Sequence, residues 1–149
     1  MIIIDSDVLL LAFAFSRDER QPANQQFLAL TTPRGATIYT VMEVLGKLSF
    51  NFSPSHLQQW PAWLQDAYRL NILYPLVDGQ EAMLCFQREF VESPLQMMTQ
   101  RMSYLDALIM QLVAATPGVE MFVTWNAHHF AGKSPVRVMT PAEVLAASA

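Results

Sequence analysis

The chain has 149 residues, of which 52% are apolar and 15% charged, with a net charge of −4 and one cysteine. This length suits a single domain over residues 1–149 with its own core, and the apolar content excludes a disordered chain and leaves hydrophobic surface for a partner. The negative charge restricts nucleic-acid binding to a local basic patch or to bound cations.

The single cysteine, Cys85, excludes an intramolecular disulfide and fits a reducing cytoplasm, where we expect this side chain in the core. The apolar start of the chain is interrupted by Asp5 and Asp7 and has no basic leader, so a signal peptide is not predicted. No apolar run approaches the roughly 18 residues of a transmembrane helix. A soluble, cytoplasmic protein that does not bind membranes is therefore expected.

Short apolar runs alternate with longer helical patterns, which predicts an α/β domain with a central, mainly parallel sheet flanked by helices. The predicted strands are residues 2–4, 36–39, 71–76, 120–124 and 136–139. Helices are predicted after Asp5, over residues 21–30, from Thr40, from Pro54, from Asp78, over residues 103–115 and from Thr140.

Prolines and capping residues define two of the predicted helix boundaries. Ser53 suits an N-cap, and Pro61 should kink or divide the helix that follows it. The helix opened by Asp78 should end near Ser93 and Pro94, which leaves a loop as far as Met102.

Polar side chains follow three of the predicted strands. Asp5 ends the first strand, Glu43 follows the second, and Asn126 follows the fourth. In an open parallel sheet such positions gather at the carboxyl edge, where ligands usually bind. Asp106, in the first turn of its helix, could face the same edge.

Glu43 and Asp106 also have a purely structural interpretation. They end the segments TVME and SYLD, which match the capping-box pattern, as does TPAE near the end of the chain. Taken alone, this common pattern favours capping. Three carboxylates clustered at one edge would nevertheless repel one another unless a cation offset their charge. Oxygen ligands without paired cysteines favour Mg²⁺ or Mn²⁺ over zinc.

Four segments in order, MIIIDSDVLL, YTVMEVLGKL, MSYLDALIMQLV and FVTWNAHHF followed by VMTPAEVL, resemble the successive motifs of PIN domains, especially the VapC-like toxins of toxin–antitoxin pairs. The resemblance covers nearly the whole chain. It implies a Mg²⁺- or Mn²⁺-dependent endoribonuclease with Asp5, Glu43 and Asp106 as metal-binding acids. Asn126 matches the family's fourth site, often an aspartate, as an amide ligand or water-holder. An RNA substrate, an antitoxin partner and a homodimer are also implied.

Asp7 departs from the small polar residue that this family usually has at its position. It could be an additional metal contact or the first-turn cap of the following helix, and the cap is favoured. Ser6 and Thr124 are candidates to order the site through hydroxyl hydrogen bonds, and equally for a structural role. His129 is expected to support its loop rather than to act in catalysis, because a metal can activate water without a side-chain base.

The basic residues that could meet RNA phosphate are Arg17, Arg20, Arg34, Lys47, Arg101 and Lys133. Lys47 is the strongest candidate, because it lies one helical turn from Glu43. The same spacing also makes an ordinary ion pair. Arg17 and Arg101 are also predicted to bind RNA. The aromatic residues Trp60, Trp63 and Tyr68 recur at helical spacing, and packing in the core or a dimer is favoured over base stacking.

Two other functions fit parts of the sequence. DSDVL resembles the opening of haloacid dehalogenase-type phosphatases, but Val8 stands where that family usually has glycine, and no later acidic pair matches. A PIN-like scaffold that binds RNA or protein without cutting is the second alternative. Its cue is Asn126 together with the acidic net charge.

Overall fold

The computed structural model describes residues 1–15, 17–75 and 81–148, and its centre is one parallel β-sheet. The strands are β1 (Ile2–Ile4), β2 (Arg34–Thr37), β3 (Leu70–Leu73), β4 (Met121–Val123) and β5 (Arg137–Met139). Their order across the sheet is β3-β2-β1-β4-β5, and every neighbouring pair is parallel. The predicted α/β class with a central parallel sheet flanked by helices is confirmed, in a form consistent with a PIN-like fold.

Helices cover the sheet and connect its strands. They are α1 (Ser6–Ala14), α2 (Gln21–Ala29), α3 (Ile38–Leu48), α4 (Pro54–Tyr68), α5 (Ala82–Gln87), α6 (Ser93–Met98), α7 (Tyr104–Ala115), α8 (Ala127–Phe130) and α9 (Pro141–Ser148). A π-helical segment, Arg88–Glu92, joins α5 to α6. Over the part of the chain that the structure describes, no helix combines the length and apolar character needed to span a membrane.

Strand β1 lies in the middle of the sheet and is buried along its whole length. Because side chains alternate along a strand, Ile3 joins one core cluster with residues of α7, and Ile4 joins another with residues of α1, α2 and α3. Such burial on both faces explains why β1 reads as an unbroken β-branched run. Cys85 is buried, as expected.

The boundary between β2 and α3 differs from the prediction. Helix α3 begins at Ile38 rather than Thr40, and β2 ends at Thr37 rather than at residue 39. Thr37 is the N-cap, because its hydroxyl accepts a hydrogen bond from the backbone N–H of Thr40 at 3.0 Å. The interpretation of TVME as a capping box is therefore wrong, since Thr40 already lies inside the helix.

Two prolines do not end a helix where an end was predicted: α4 is not divided at Pro61, and the helical region does not end at Pro94. Helix α4 has its N-cap at Ser53, as predicted, but it continues undivided through Pro61. Packing holds both halves: Leu64 is fully buried, and the Trp60 ring lies 4.9 Å from Phe13. The predicted packing is confirmed for Trp60 and Tyr68, which lie against the core, while Trp63 contacts both of these rings and stays 43% exposed.

Pro94 does not end the helical region, and the loop predicted up to Met102 contains α6 instead. Pro94 lies inside a helical run that continues from α5 through the π-helical segment into α6. Its missing N–H leaves the carbonyl of Phe90, four residues earlier, without its α-helical donor, and the Tyr104 hydroxyl donates to that carbonyl at 2.8 Å. The helix start predicted at Asp78 lies outside the described residues. Residue 76, the predicted end of the third strand, does too, while β3 itself ends at Leu73.

Candidate acidic site

Asp5 lies at the carboxyl end of β1 and is only 7% exposed. It is the N-cap of α1, and its Oδ1 accepts a hydrogen bond from the Ser6 N–H at 2.7 Å. Burial raises the pKa of Asp5 to about 7, with a further contribution from the negative charge of Asp7 and a smaller one from Glu43. The site therefore begins with a carboxylate whose charge the protein alone compensates poorly.

Asp7 lies in the first turn of α1, and its two oxygen atoms have different surroundings. Oδ2 accepts hydrogen bonds from the Thr124 hydroxyl at 2.9 Å and from the backbone N–H of Asn126 at 3.2 Å. Oδ1 is buried and has no hydrogen-bond partner among the described residues. Burial raises the pKa of Asp7 despite these bonds. The N-cap of α1 is Asp5, and Asp7 lies in the first turn, which is the place predicted for it.

The loop between β4 and α8 reaches Asp7 through Thr124 and Asn126. Thr124 is fully buried, and its hydroxyl oxygen also accepts a hydrogen bond from the Asn126 N–H at 3.1 Å. Asn126 is exposed and is the N-cap residue of α8, but its side chain makes no capping hydrogen bond. Its amide is therefore not committed to the helix.

Two residues behind this loop were not predicted as part of the site. Asn24 of α2 is fully buried, and its Oδ1 accepts a hydrogen bond from the Trp125 indole N–H at 2.8 Å. Its Nδ2 donates to the backbone carbonyl of Val8 at 2.9 Å. The one available sequence signal is that Asn24 shares a helix face with Phe27 and Leu28, which are both buried.

Glu43 and Lys47 form an ion pair on α3, with 2.7 Å between Oε1 and Nζ. The Glu43 side chain is 22% exposed and that of Lys47 52%, so this pair lies at the border of the site and solvent. The ion pair that is the alternative explanation for the spacing of Glu43 and Lys47 is thus observed. It leaves Lys47 adjacent to the acids, where an RNA-binding role stays a prediction.

Asp106 is the third residue of α7 and closes a capping box with Ser103. The Ser103 hydroxyl accepts from the Asp106 N–H at 3.1 Å, and Asp106 Oδ2 accepts from the Ser103 N–H at 3.4 Å. The same Oδ2 lies 3.2 Å from Nε2 of His129, whose backbone N–H donates to the Asn126 carbonyl at 3.0 Å. Asp106 is thus a cap and also a neighbour of the site loop.

The predicted acids are not all in direct contact. Asp5 and Asp7 interact with each other, Glu43 is near enough for its charge to affect Asp5, and Asp106 is linked to the others through His129 and Asn126. Across residues 1–15, 17–75 and 81–148, no three His, Cys, Asp or Glu side chains are arranged so that they could hold a metal ion together.

The residues present nevertheless fit a hard divalent cation in chemical terms. Asp7 offers a buried oxygen without a hydrogen-bond donor, and Asp5 is a buried carboxylate facing the charge of a second one. A cation would offset both charges, and carboxylate oxygens with water are the ligands that Mg²⁺ prefers.

A cavity of about 290 Å³ adjoins this site and is lined by Asp7, Leu10, Leu11, Phe15, Arg20, Lys47 and Trp125. A larger cavity of about 480 Å³ lies between β3 and α7 and contains none of the predicted site residues. We consider the smaller one part of the candidate site, because carboxylate and basic groups converge there.

The other basic residues considered for phosphate binding have different surroundings from Lys47. Arg34 is committed to structure, since its guanidinium donates to the carbonyls of Phe27 and Leu30 at the end of α2. Arg17 and Arg101 are exposed, and Lys133 Nζ donates to the carbonyl of Arg101 at 3.4 Å. Arg34 is therefore removed from the candidates for phosphate binding.

Comparison with sequence families and with curated proteins gives no match: no family model matches the chain, and no curated protein does. Solved structures do match. Rickettsia felis VapBC2 bound to a DNA fragment from its promoter has a chain with a TM-score of 0.58 and 16% identity, covering 94% of this chain and 98% of that one.

Two FitAB structures are similar to the same extent. FitAcB from Neisseria gonorrhoeae has a TM-score of 0.54 at 16% identity, covering 95% of this chain and 98% of that one. FitAB bound to an IR36 DNA fragment has a TM-score of 0.53 at 15% identity, covering 95% and 96%. At these identities the similarity establishes a shared fold, so this chain is folded like chains of the VapBC and FitAB assemblies.

Proposed function

We propose that this protein is a metal-dependent endoribonuclease and the toxin of a toxin–antitoxin pair, acting in the cytoplasm. The observation that carries the proposal is the Asp5–Asp7 pair at the carboxyl edge of a parallel sheet: Asp5 is buried, and the partly buried Asp7 has one buried oxygen with no hydrogen-bond partner among the described residues. The fold supports it, because the similar VapBC and FitAB structures are toxin–antitoxin complexes.

Asp5, Glu43 and Asp106 would hold a Mg²⁺ or Mn²⁺ ion, with Asp7 and Asn126 as additional oxygen donors. The bound cation supplies a Lewis acid and lowers the pKa of a coordinated water. A phosphodiester is the substrate class that suits such a site, because a carboxylate-held Mg²⁺ keeps positions for water and for phosphate oxygens.

The remaining residues orient these acids. The Ser6 N–H fixes Asp5, Thr124 and the Asn126 N–H fix Asp7, and Ser103 with His129 fixes Asp106. Fixing the acids before the substrate binds reduces the reorganisation that the reaction requires. Lys47, with Arg17 and Arg101, is our candidate for contacts to the RNA backbone.

The partners in this proposal are RNA, a cognate antitoxin protein and a second copy of the chain. Apolar side chains support the protein partners, since several remain widely exposed among the described residues of α5, the π-helical segment and α6: Met83, Leu84, Phe86, Val91 and Leu95. A patch of this kind is typical of an interaction surface.

Cleavage of total cellular RNA, including structured tRNA, tests the proposal. The purified protein is incubated with Mg²⁺, with Mn²⁺ or with EDTA, beside the variants Asp106→Asn and Asp66→Asn. We expect the parent and Asp66→Asn to cut in either metal and not in EDTA, and Asp106→Asn to lose at least ~100-fold in rate. Asp66 is the matched control, because it is an exposed acid on α4.

Asp106→Asn keeps an oxygen that can accept the Ser103 N–H, so circular dichroism and thermal midpoint should stay near those of the parent. A folded parent that leaves every RNA intact in both metals would contradict the nuclease. The non-cutting scaffold would then be the better explanation, and phosphate monoesters would be assayed next for the phosphatase alternative.

A further inference from the structure

Asn24 is fully buried, and the two polar groups of its side-chain amide bond to two different parts of the site. Its Nδ2 donates to the carbonyl of Val8, the residue after Asp7, at 2.9 Å. Its Oδ1 accepts the indole N–H of Trp125, in the loop between β4 and α8, at 2.8 Å. Asn24 thus joins α1 to that loop from behind.

In the sequence, Trp125 lies between Thr124 and Asn126, the two residues that donate hydrogen bonds to Asp7. Thr124 and Asn126 both donate to Asp7 Oδ2, at 2.9 and 3.2 Å. Three consecutive loop residues are therefore held from the side of α1 and α2, two by Asp7 and one by Asn24. The bonds span 101 to 119 residues of sequence, so no local turn preference can set this geometry.

We propose that Asn24 is a positioning residue of the acidic site: through Trp125 it fixes the β4–α8 loop, so that Asp7 is clamped by one oxygen and its other oxygen is presented to the cation. The part of this inference that concerns cation binding rests on the proposed function. The clamp itself rests only on the contacts of Asn24, Trp125, Thr124 and Asn126.

The buried amide argues for a specific role rather than for packing. A leucine at position 24 would suit the apolar face that Phe27 and Leu28 form, without any polar group to satisfy. An amide is tolerated there because each of its ends has a partner, and a satisfied buried polar group selects one arrangement of the chain around it. The arrangement selected here places the Asn126 N–H on Asp7.

Trp125→Phe is the most informative variant, because it removes the indole N–H and keeps a large aromatic ring. Asn24→Ala removes both bonds, and Trp63→Phe is the matched control, since the half-exposed Trp63 lies in the aromatic cluster of α4. The first measurement is amide hydrogen exchange by NMR on the metal-free proteins. We expect exchange of the Asn126 N–H to accelerate about tenfold or more in Trp125→Phe, and to be unchanged in Trp63→Phe.

The second measurement is the Mn²⁺ dissociation constant, together with kcat and KM for RNA cleavage. Changes to groups behind metal ligands typically weaken metal affinity about 10–100-fold. We expect that loss in Trp125→Phe and in Asn24→Ala, with kcat falling more than KM rises. The double variant should lose no more than Asn24→Ala alone, because both residues act through one bond.

The outcomes separate this inference from the proposed function. Unchanged exchange at Asn126 in Trp125→Phe overturns the clamp, whatever the parent does with metal. Faster exchange with Mn²⁺ affinity equal to that of a metal-binding parent overturns the positioning role and leaves Asn24 structural. If the parent itself binds no Mn²⁺ and cuts no RNA, the proposed function fails, and the positioning of a cation ligand fails with it even where exchange accelerates.

Discussion

The four candidate acids form two pairs whose charges are compensated in different ways. Asp5 is buried and the neighbouring Asp7 is partly buried; neither contacts a cationic group directly among the described residues, and burial raises the pKa of both. Glu43 and Asp106 are partly exposed, and each has its own partner, Lys47 in one case and Ser103 with His129 in the other. Charge is therefore costly in the first pair and compensated in the second.

This difference predicts which acids depend on a cation. A buried carboxylate without a compensating charge destabilises the fold in its ionised form, whereas a half-exposed one with a partner costs little. The Asp5–Asp7 pair should thus lower the stability of the metal-free protein and be the main source of cation binding. Glu43 and Asp106 should matter for function with little effect on stability.

The largest expected effect comes from Asp5→Asn. Removing the buried charge should abolish cation-dependent stabilisation and reduce cleavage at least ~100-fold, while raising the free energy of unfolding of the metal-free protein at pH 8 by about 1–3 kcal/mol. Urea denaturation with EDTA measures the stability, and Mn²⁺ titration measures the binding. A metal-free Asp5→Asn protein that is less stable than the parent would show that the buried charge of Asp5 does not destabilise the fold.

The next effect concerns pH. Because the pKa of Asp5 is raised in the folded state from 3.8 to about 7, the folded protein binds more protons than the unfolded chain between these values. The metal-free parent should therefore lose stability relative to Asp5→Asn as the pH rises from about 4 to 7, by a few kcal/mol. Denaturation midpoints at pH 4.5, 6 and 7.5 measure it. Equal stability differences at all three values would contradict the raised pKa.

Two capping boxes offer a third, smaller test. Ser103→Ala and Thr140→Ala should each cost about 1 kcal/mol of stability, because both remove a side chain that accepts an N–H at a helix start. Only Ser103→Ala also removes support from Asp106, so only it should slow RNA cleavage. Thermal denaturation and cleavage rates are compared for the two variants. Equal slowing by both would assign the loss to stability alone.

The smallest effect is expected from Lys47→Gln. The exposed ion pair with Glu43 contributes about 0.3–0.5 kcal/mol, so the thermal midpoint should move by no more than about 1–2 °C. If Lys47 contacts RNA phosphate, the slope of log affinity for RNA against log salt concentration should become shallower by about one unit in Lys47→Gln. Binding is measured at several salt concentrations in the presence of Ca²⁺. An unchanged slope would assign Lys47 to the ion pair only.

Local rules predicted a large part of the fold. The alternation of strands and helices, the caps at Ser53, Ser103 and Thr140, and the positions of most strands within about two residues all follow from short-range patterns. The errors occur where tertiary packing outweighs local preference. Pro61 remains inside α4 because Leu64 and Trp60 hold the helix against the core, and no sequence rule indicates the π-helical segment before Pro94.

The candidate acids can be proposed from the sequence, but the hydrogen bonds between them and their surroundings cannot. Asp5, Glu43, Asp106 and Asn126 stand out in the sequence because each follows a strand or opens a helix. The hydrogen bonds of Asp7 to the β4–α8 loop and the bond between Asn24 and Trp125 join residues more than 100 positions apart, which a single sequence does not reveal. Whether the acids bind a cation is a prediction that the experiments above decide.

The central place of β1 has a consequence for how the protein is made. Asp7 must meet Thr124, 117 residues later in the chain, before the acidic site exists. A nascent chain therefore lacks these contacts until residue 124 has been synthesised and has left the ribosome. Parallel pairing of β1 with β4 is also a long-range contact, of the kind that forms slowly during folding. Because the centre of the sheet and the acidic site depend on the same long-range contacts, the site should form together with the core rather than before it.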